Sequence, residues 1–144
     1  MNWLRMCGQY HSRTFPSQGE LSSLPAEWQR ELAALWRVES DVNNGAYLQF
    51  LGNWGRETYV YASQALKKIG AMQMAAIVDE CQALVDTHLD GKRRRFMELL
   101  DSLPEEVVDR IYELSYAYMS YPDKIDELGM AYYWELVEQE AASQ

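Results

Sequence analysis

Glu105, Asp109 and Glu113 recur every fourth residue. On a helix this spacing stacks three carboxylates about 6 Å apart along one face. Like charges so placed repel by a few tenths of a kcal/mol per pair, so the arrangement does nothing for the helix itself. A strand of duplex DNA advances about 3.4 Å per phosphate, so such a ladder can present a similar line of negative charge to a basic protein. An ordinary solvated helix face has the same pattern, and the sequence leaves both readings open.

The other residues with reactive side chains are less promising. Cys7 and His11 have a Cys-x-x-x-His spacing, but no second pair lies near to complete a four-ligand zinc site. His88 falls on an apolar seam with Met74, Ile77, Val78, Cys81, Leu84 and Val85. That placement predicts a core histidine and an inert buried thiol at Cys81. Asp41-Val42-Asn43-Asn44-Gly45 misplaces the glycine of a calcium loop, and position twelve is Gly52 rather than glutamate. There is no Gly-x-Ser-x-Gly and no glycine-rich phosphate loop. The reading predicts no catalytic residues, no metal and no cofactor, and places an enzyme second to a binding protein. Lys92-Arg93-Arg94-Arg95 is the one basic run, read as a solvated loop and helix start rather than a nucleic-acid contact.

Charge is unevenly placed. The 144 residues carry a net charge of −9, yet residues 98–144 hold twelve acids against only Arg110 and Lys124. That field repels nucleic acid and membrane surfaces and draws basic proteins inward. The residues expected to meet such a partner are Glu98, Asp101, Glu105, Asp109 and Glu113, followed by Asp123, Asp126 and Glu127. Tyr112, Tyr116 and Met119 form a second stripe beside the ladder, suited to a neighbouring helix, a partner or a homodimer.

The elements that must position these groups are helical. Trp28, Leu32, Leu35, Val38 and Val42 trace one helical face from a start at Pro25 to a stop at Asn43-Asn44-Gly45. A short segment reaches Leu51, and Gly52-Asn53-Trp54-Gly55 breaks the chain again. Helices follow over about 56–69, capped by Gly70, over about 71–89, around Phe96–Leu100, over 105–121, and from about Asp123 to Glu140. No stretch alternates as a strand would. The expectation is an all-α bundle of five to seven helices, with residues 1–22 loosely held around a short helix near Trp3 and 23–144 forming one domain. For this mass the folded surface should be about 7,600 Å² against roughly 24,000 Å² unfolded, enough burial for a core without disulfides. Two cysteines far apart and no apolar run of spanning length predict a cytoplasmic protein.

From Leu24 onward a longer pattern emerges: Leu35-Trp36-x-x-Glu39-x-x-Val42-Asn43-Asn44-Gly45, then Gln49-Phe50, Asn53 and Gly55, then Ala65-Leu66, Ile69-Gly70-Ala71 and Tyr121-Pro122-Asp123. It resembles a bacterial domain family of largely unknown function whose best-known member is an acidic, dimeric, all-helical DNA mimic. That family has a second glycine where this chain has Ala46. The resemblance implies a non-enzymatic inhibitor that occupies the basic nucleic-acid-binding site of a partner such as a transcriptional regulator. An immunity protein or antitoxin facing a toxin domain would use the same charge. Asn43, Asn44, Gly45, Gln49 and Asn53 read as a structural motif, with Gln49 and Asn53 satisfying buried backbone groups. In a rival, enzymatic reading they line a polar pocket.

Overall fold

The apolar faces resolve into seven helices and no strand in the computed structural model, which describes residues 1–144. They are α1 (Trp3–Ser12), α2 (Glu27–Trp54), α3 (Arg56–Lys68), α4 (Met72–His88), α5 (Phe96–Ser102), α6 (Glu105–Met119) and α7 (Ile125–Ala142). α2 is the spine, packed against α1, α3, α5 and α6; α4 bridges α3 and α6, and α7 lies on α1. One continuous apolar core runs through all seven. The surface of 7502 Å² agrees with the value expected from mass. No helix is long and apolar enough to cross a membrane.

Residues 1–22 are not loosely held. Asn2 Oδ1 accepts from the Arg5 amide at 2.8 Å and starts α1, which buries Trp3, Met6, Cys7, Tyr10 and His11, as a side-chain cap should. Glycines explain how so bulky a helix fits. A Cβ at Gly129 of α7 would overlap the Trp3 ring, and one at Gly8 would press on the Trp36 indole. The start at Pro25 is displaced: α2 begins at Glu27, after Gln29 Oε1 accepts from the Ala26 amide at 3.1 Å. Gly52 sits inside the helix rather than breaking it, because its bare Cα lets the Phe96 backbone approach; the turn comes at Gly55.

The expected stop after Asn44 is a break within α2. Gly45 and Ala46 leave helical geometry, and the Tyr47 amide thereby freed donates to Ser115 Oγ of α6 at 3.0 Å. A buried amide needs such an acceptor once its helical one is lost. Ala46 has φ 67° and ψ −178°, a region that only glycine occupies without strain. That strain is of order 1–3 kcal/mol, while glycine's extra chain entropy costs about 0.5–1 kcal/mol. Ala46→Gly should therefore stabilise the fold by about 1 kcal/mol and raise the melting temperature by roughly 3 °C. A melting temperature that falls would refute the strain assignment.

Candidate protein-binding surface

The acidic residues divide by the helices that carry them. On α5 and α6, Glu98, Asp101, Glu105, Glu106, Asp109 and Glu113 are all exposed. The ladder runs along α6 opposite the buried Val107, Ile111, Leu114 and Tyr118, the face that packs on α2 and α4. Arg110 holds Glu113 at 3.3 Å and Glu80 of α4 at 2.9 Å, so the ladder's last carboxylate is partly neutralised. Glu98 is tied to the start of α5, where its Oε1 accepts from the Arg95 amide. Tyr116 beside the ladder is 66% exposed, with Tyr112 and Met119 half-buried next to it. No helix of the chain covers this stripe fully, and at helical spacing Asp109, Tyr112, Glu113 and Tyr116 share one surface.

Asp126 and Glu127 are exposed in the first turn of α7, where the helix dipole favours acids. Because α7 packs on α1, they form a second acidic group apart from the ladder's helix. Two members of the acidic third turn inward instead. Asp123 is half-buried, and its Oδ2 accepts from the Met74 amide at 2.8 Å while Oδ1 takes the Gln73 amide side chain. It caps α4 and is withdrawn from the partner-facing set. Glu140 accepts from Tyr10 Oη at 2.9 Å, from Arg13 at 2.9 Å and from Gln29. Burial alone would raise its pKa; these donors and the Arg13 charge outweigh it and hold the carboxyl below the usual range.

The Asn/Gln motif does not form one pocket. Asn43 Nδ2 donates to the Glu39 carbonyl at 2.7 Å and to Tyr121 Oη at 3.0 Å. Asn44 is exposed, and Gln49 fills the space that a Cβ at Gly45 would need. Asn53 satisfies no buried backbone group: it donates to the Asp41 carboxylate at 3.3 Å, beside the Trp54 indole at 2.7 Å. Asn43 and Asn53 consequently border different hollows.

Spacing in the sequence assigns Glu39 no role beyond the resemblance, yet the residue is only 5% exposed. Tyr118 donates to Oε1 at 2.7 Å and Tyr121 to Oε2 at 2.8 Å, and no cation pairs with it. Burial pushes its pKa up despite the two hydroxyls. Glu31, equally buried, has its counter-ion: Lys68 Nζ lies at 2.7 Å, with Tyr133 and Gln64 as further donors. Arg37 is buried with only neutral acceptors in reach. Its nitrogens meet His11 Nδ1 at 3.1 Å, Thr58 Oγ1 at 3.2 Å, Thr14 Oγ1 at 3.2 Å and the Gly19 carbonyl at 2.7 Å. Its plane lies 4.0 Å from the Trp54 ring centroid, within cation–π range.

His11 thus serves Arg37 rather than joining Cys7 as a ligand, and burial raises the Cys7 thiol pKa well above the ordinary value. Cys81 is fully buried with its thiol pushed up to about 12 by that burial, in keeping with an inert side chain. His88, by contrast, is exposed and bonds the Leu84 carbonyl one turn back, because the seam ends at Val85. Nor is the basic run merely solvated. Arg93 grips the carbonyls of Leu51, Gly52 and Asn53 at the end of α2, and Arg94 pairs with Asp90 at 2.8 Å. A basic side chain on the last carbonyls of a helix is a favourable cap.

No curated protein and no solved structure matches this chain. A family model described as DMP19-like protein matches residues 22–139, from the turn before α2 to the last turns of α7. It takes in the motif around Glu39, the break at Gly45, the acidic ladder and the Tyr121 turn. The chain belongs to the DMP19-like protein family.

Proposed function

We propose that the chain is a non-enzymatic binding protein that occupies the basic nucleic-acid-binding site of a partner protein through the exposed acids of α5 and α6. The observation that carries this reading is the uncovered surface of α6. Glu105 and Asp109 make no ion pair within the fold, and the exposed Tyr116 lies farther along the same helix, next to Glu113. Carboxylates left unpaired at a regular spacing repel one another and contribute nothing to the fold, so a positive surface from outside would relieve them. Tyr112, Tyr116 and Met119 supply the apolar contact that charge alone lacks. The resemblance noted in the sequence points the same way, towards mimicry of DNA before a regulator.

The test is capture of the tagged protein's partners from its native host, with a low-salt and then a high-salt wash, against the variant Glu105→Gln/Asp109→Asn/Glu113→Gln. The expected catch is a basic DNA-binding protein, released by high salt and lost from the variant. With that partner purified, the triple variant should associate about tenfold more slowly at low salt, since rim charges act mainly on the on-rate. An unchanged rate would remove the ladder from the interface. A toxin domain held through the high-salt wash would replace DNA mimicry with immunity.

A further inference from the structure

Away from the ladder, the N-terminus of α1, the middle of α2 and the turn between α6 and α7 enclose a groove. It comprises two adjoining hollows of about 500 and 420 Å³ that share Leu4, Glu39 and Tyr121. Trp3 lines the first hollow with Asp126 and Lys124, and Trp36 lines the second with Ser40 and Asn43. Four observations single it out. Glu39 is buried in its wall without a cation, although Glu31 on the same helix has one. Tyr121, whose hydroxyl holds Glu39, is kept at φ 52°, a left-handed conformation disfavoured for an aromatic residue. Leu4 stands half exposed at the rim. Finally, Trp3 of this wall carries the fold's one buried side-chain polar atom without a partner, its indole nitrogen.

The chemistry that fits is cationic. Each Glu39 oxygen accepts one tyrosine hydroxyl, which leaves a lone pair on each for a forked donor. Asp126 adds a second carboxylate and Asp123 a third, already engaged by Gln73 and the Met74 amide, while Lys124, the only base in the lining, pairs with none of them. Aromatic walls beside carboxylates attract a planar cation through both ring faces and charge. A free anion or a wholly apolar group would meet Glu39 unfavourably.

We propose that this groove receives an arginine side chain of a partner protein, its guanidinium against Glu39 and its stem along Leu4 and the tryptophans. That the arginine comes from a protein rests on the partner reading above; the site itself does not depend on the ladder. Binding there would supply the counter-ion that Glu39 lacks and fix the partner's orientation, which a row of exposed charges does poorly.

The test needs no partner. N-acetyl-arginine amide is titrated into the full chain while the tryptophan indole signals are followed by NMR, with the uncharged N-acetyl-citrulline amide as the isosteric control. The arginine derivative should shift the Trp3 and Trp36 signals saturably, and the citrulline derivative should not. Glu39→Gln removes the charge, keeps one oxygen to accept a tyrosine hydroxyl and turns its amide NH2 as donor towards the other. It should weaken binding by about tenfold or more, as loss of a charge-assisted bond does. Should that variant fold poorly, Asp126→Asn at the exposed rim should weaken binding about threefold, as a partly screened charge does. Equal binding of the two compounds, no saturable shift, or shifts confined to Trp28, Trp54 and Trp134 outside the groove would overturn the proposal. Absence of arginine binding together with loss of the captured partner in the α6 variant would dismiss the groove and leave the acidic face standing.

Discussion

Replacing Arg37 by methionine should cost the fold about 3 kcal/mol. The residue is 2% exposed and joins four segments that sequence separates: α1 through His11, the following turn through Thr14 and Gly19, α2 itself, and α3 through Thr58. Methionine fills much of the volume but donates nothing, so the Gly19 carbonyl, two threonine hydroxyls and the His11 nitrogen lose their donor together. The stacking on Trp54 is lost as well. Release of the buried charge's desolvation cost offsets part of this, which is why the sum is not larger. Lysine should recover little, since a single ammonium cannot reach four acceptors set around a planar fork. Urea unfolding of both variants reads this directly, and a methionine variant within about 1 kcal/mol of the parent would contradict the account.

Acid should weaken the fold well above the carboxylate range, and His11 is the reason. Burial first, then the Arg37 charge, lower its pKa from 6.5 to about 4. Between those values the unfolded chain binds a proton that the folded chain refuses, so stability is full above pH 6.5 and falls with pH down to about 4. The slope is about 1.4 kcal/mol for each pH unit, reaching about 3 kcal/mol across the window. Glu39 works in the opposite sense. Its raised pKa lets the folded chain take up a proton sooner, which favours folding as pH falls towards the ordinary glutamate value. Glu140, and Asp79 held by Lys67, Ser63 and Tyr59, are both lowered, so their stabilisation begins to go only as pH falls past the ordinary values of 4.5 and 3.8, at the acid end of that window and below. The measurement is unfolding free energy at pH 7.5, 6 and 5 for the parent and for His11→Gln. The glutamine can still accept from Arg37 but does not titrate, so its profile should flatten. A parent profile flat over the same range would place His11 in water.

Local pattern carries most of the architecture and little of the wiring. Gly70 with φ 86° caps α3 as its position suggests, because glycine alone takes that conformation freely. The acids at 105 and 106 open α6, as the dipole prefers. The first helix is harder to read. Trp3, Met6, Cys7 and Tyr10 have helical spacing, but Gly8 and the polar run after Ser12 dilute the pattern. His88 lies outside the core for a related reason: a seam predicts which face is buried but not where the neighbouring helix ends. The groove is beyond any local reading. Glu39 and Tyr121 lie 82 residues apart and meet only where α6 packs against α2 in the fold. The acidic third likewise reads as one block of charge in sequence, and only the fold shows Asp123 and Glu140 engaged in internal hydrogen bonds.

The central claim, that the α6 carboxylates take the place of DNA before a basic partner, is tested most directly by competition. Host extract is bound to DNA-cellulose at low salt and eluted with the purified protein. The account predicts release of a basic DNA-binding protein together with the added chain, and no release by the Glu105→Gln/Asp109→Asn/Glu113→Gln variant. Equal release by that variant, or no release by the parent while the column retains its bound proteins, would contradict it.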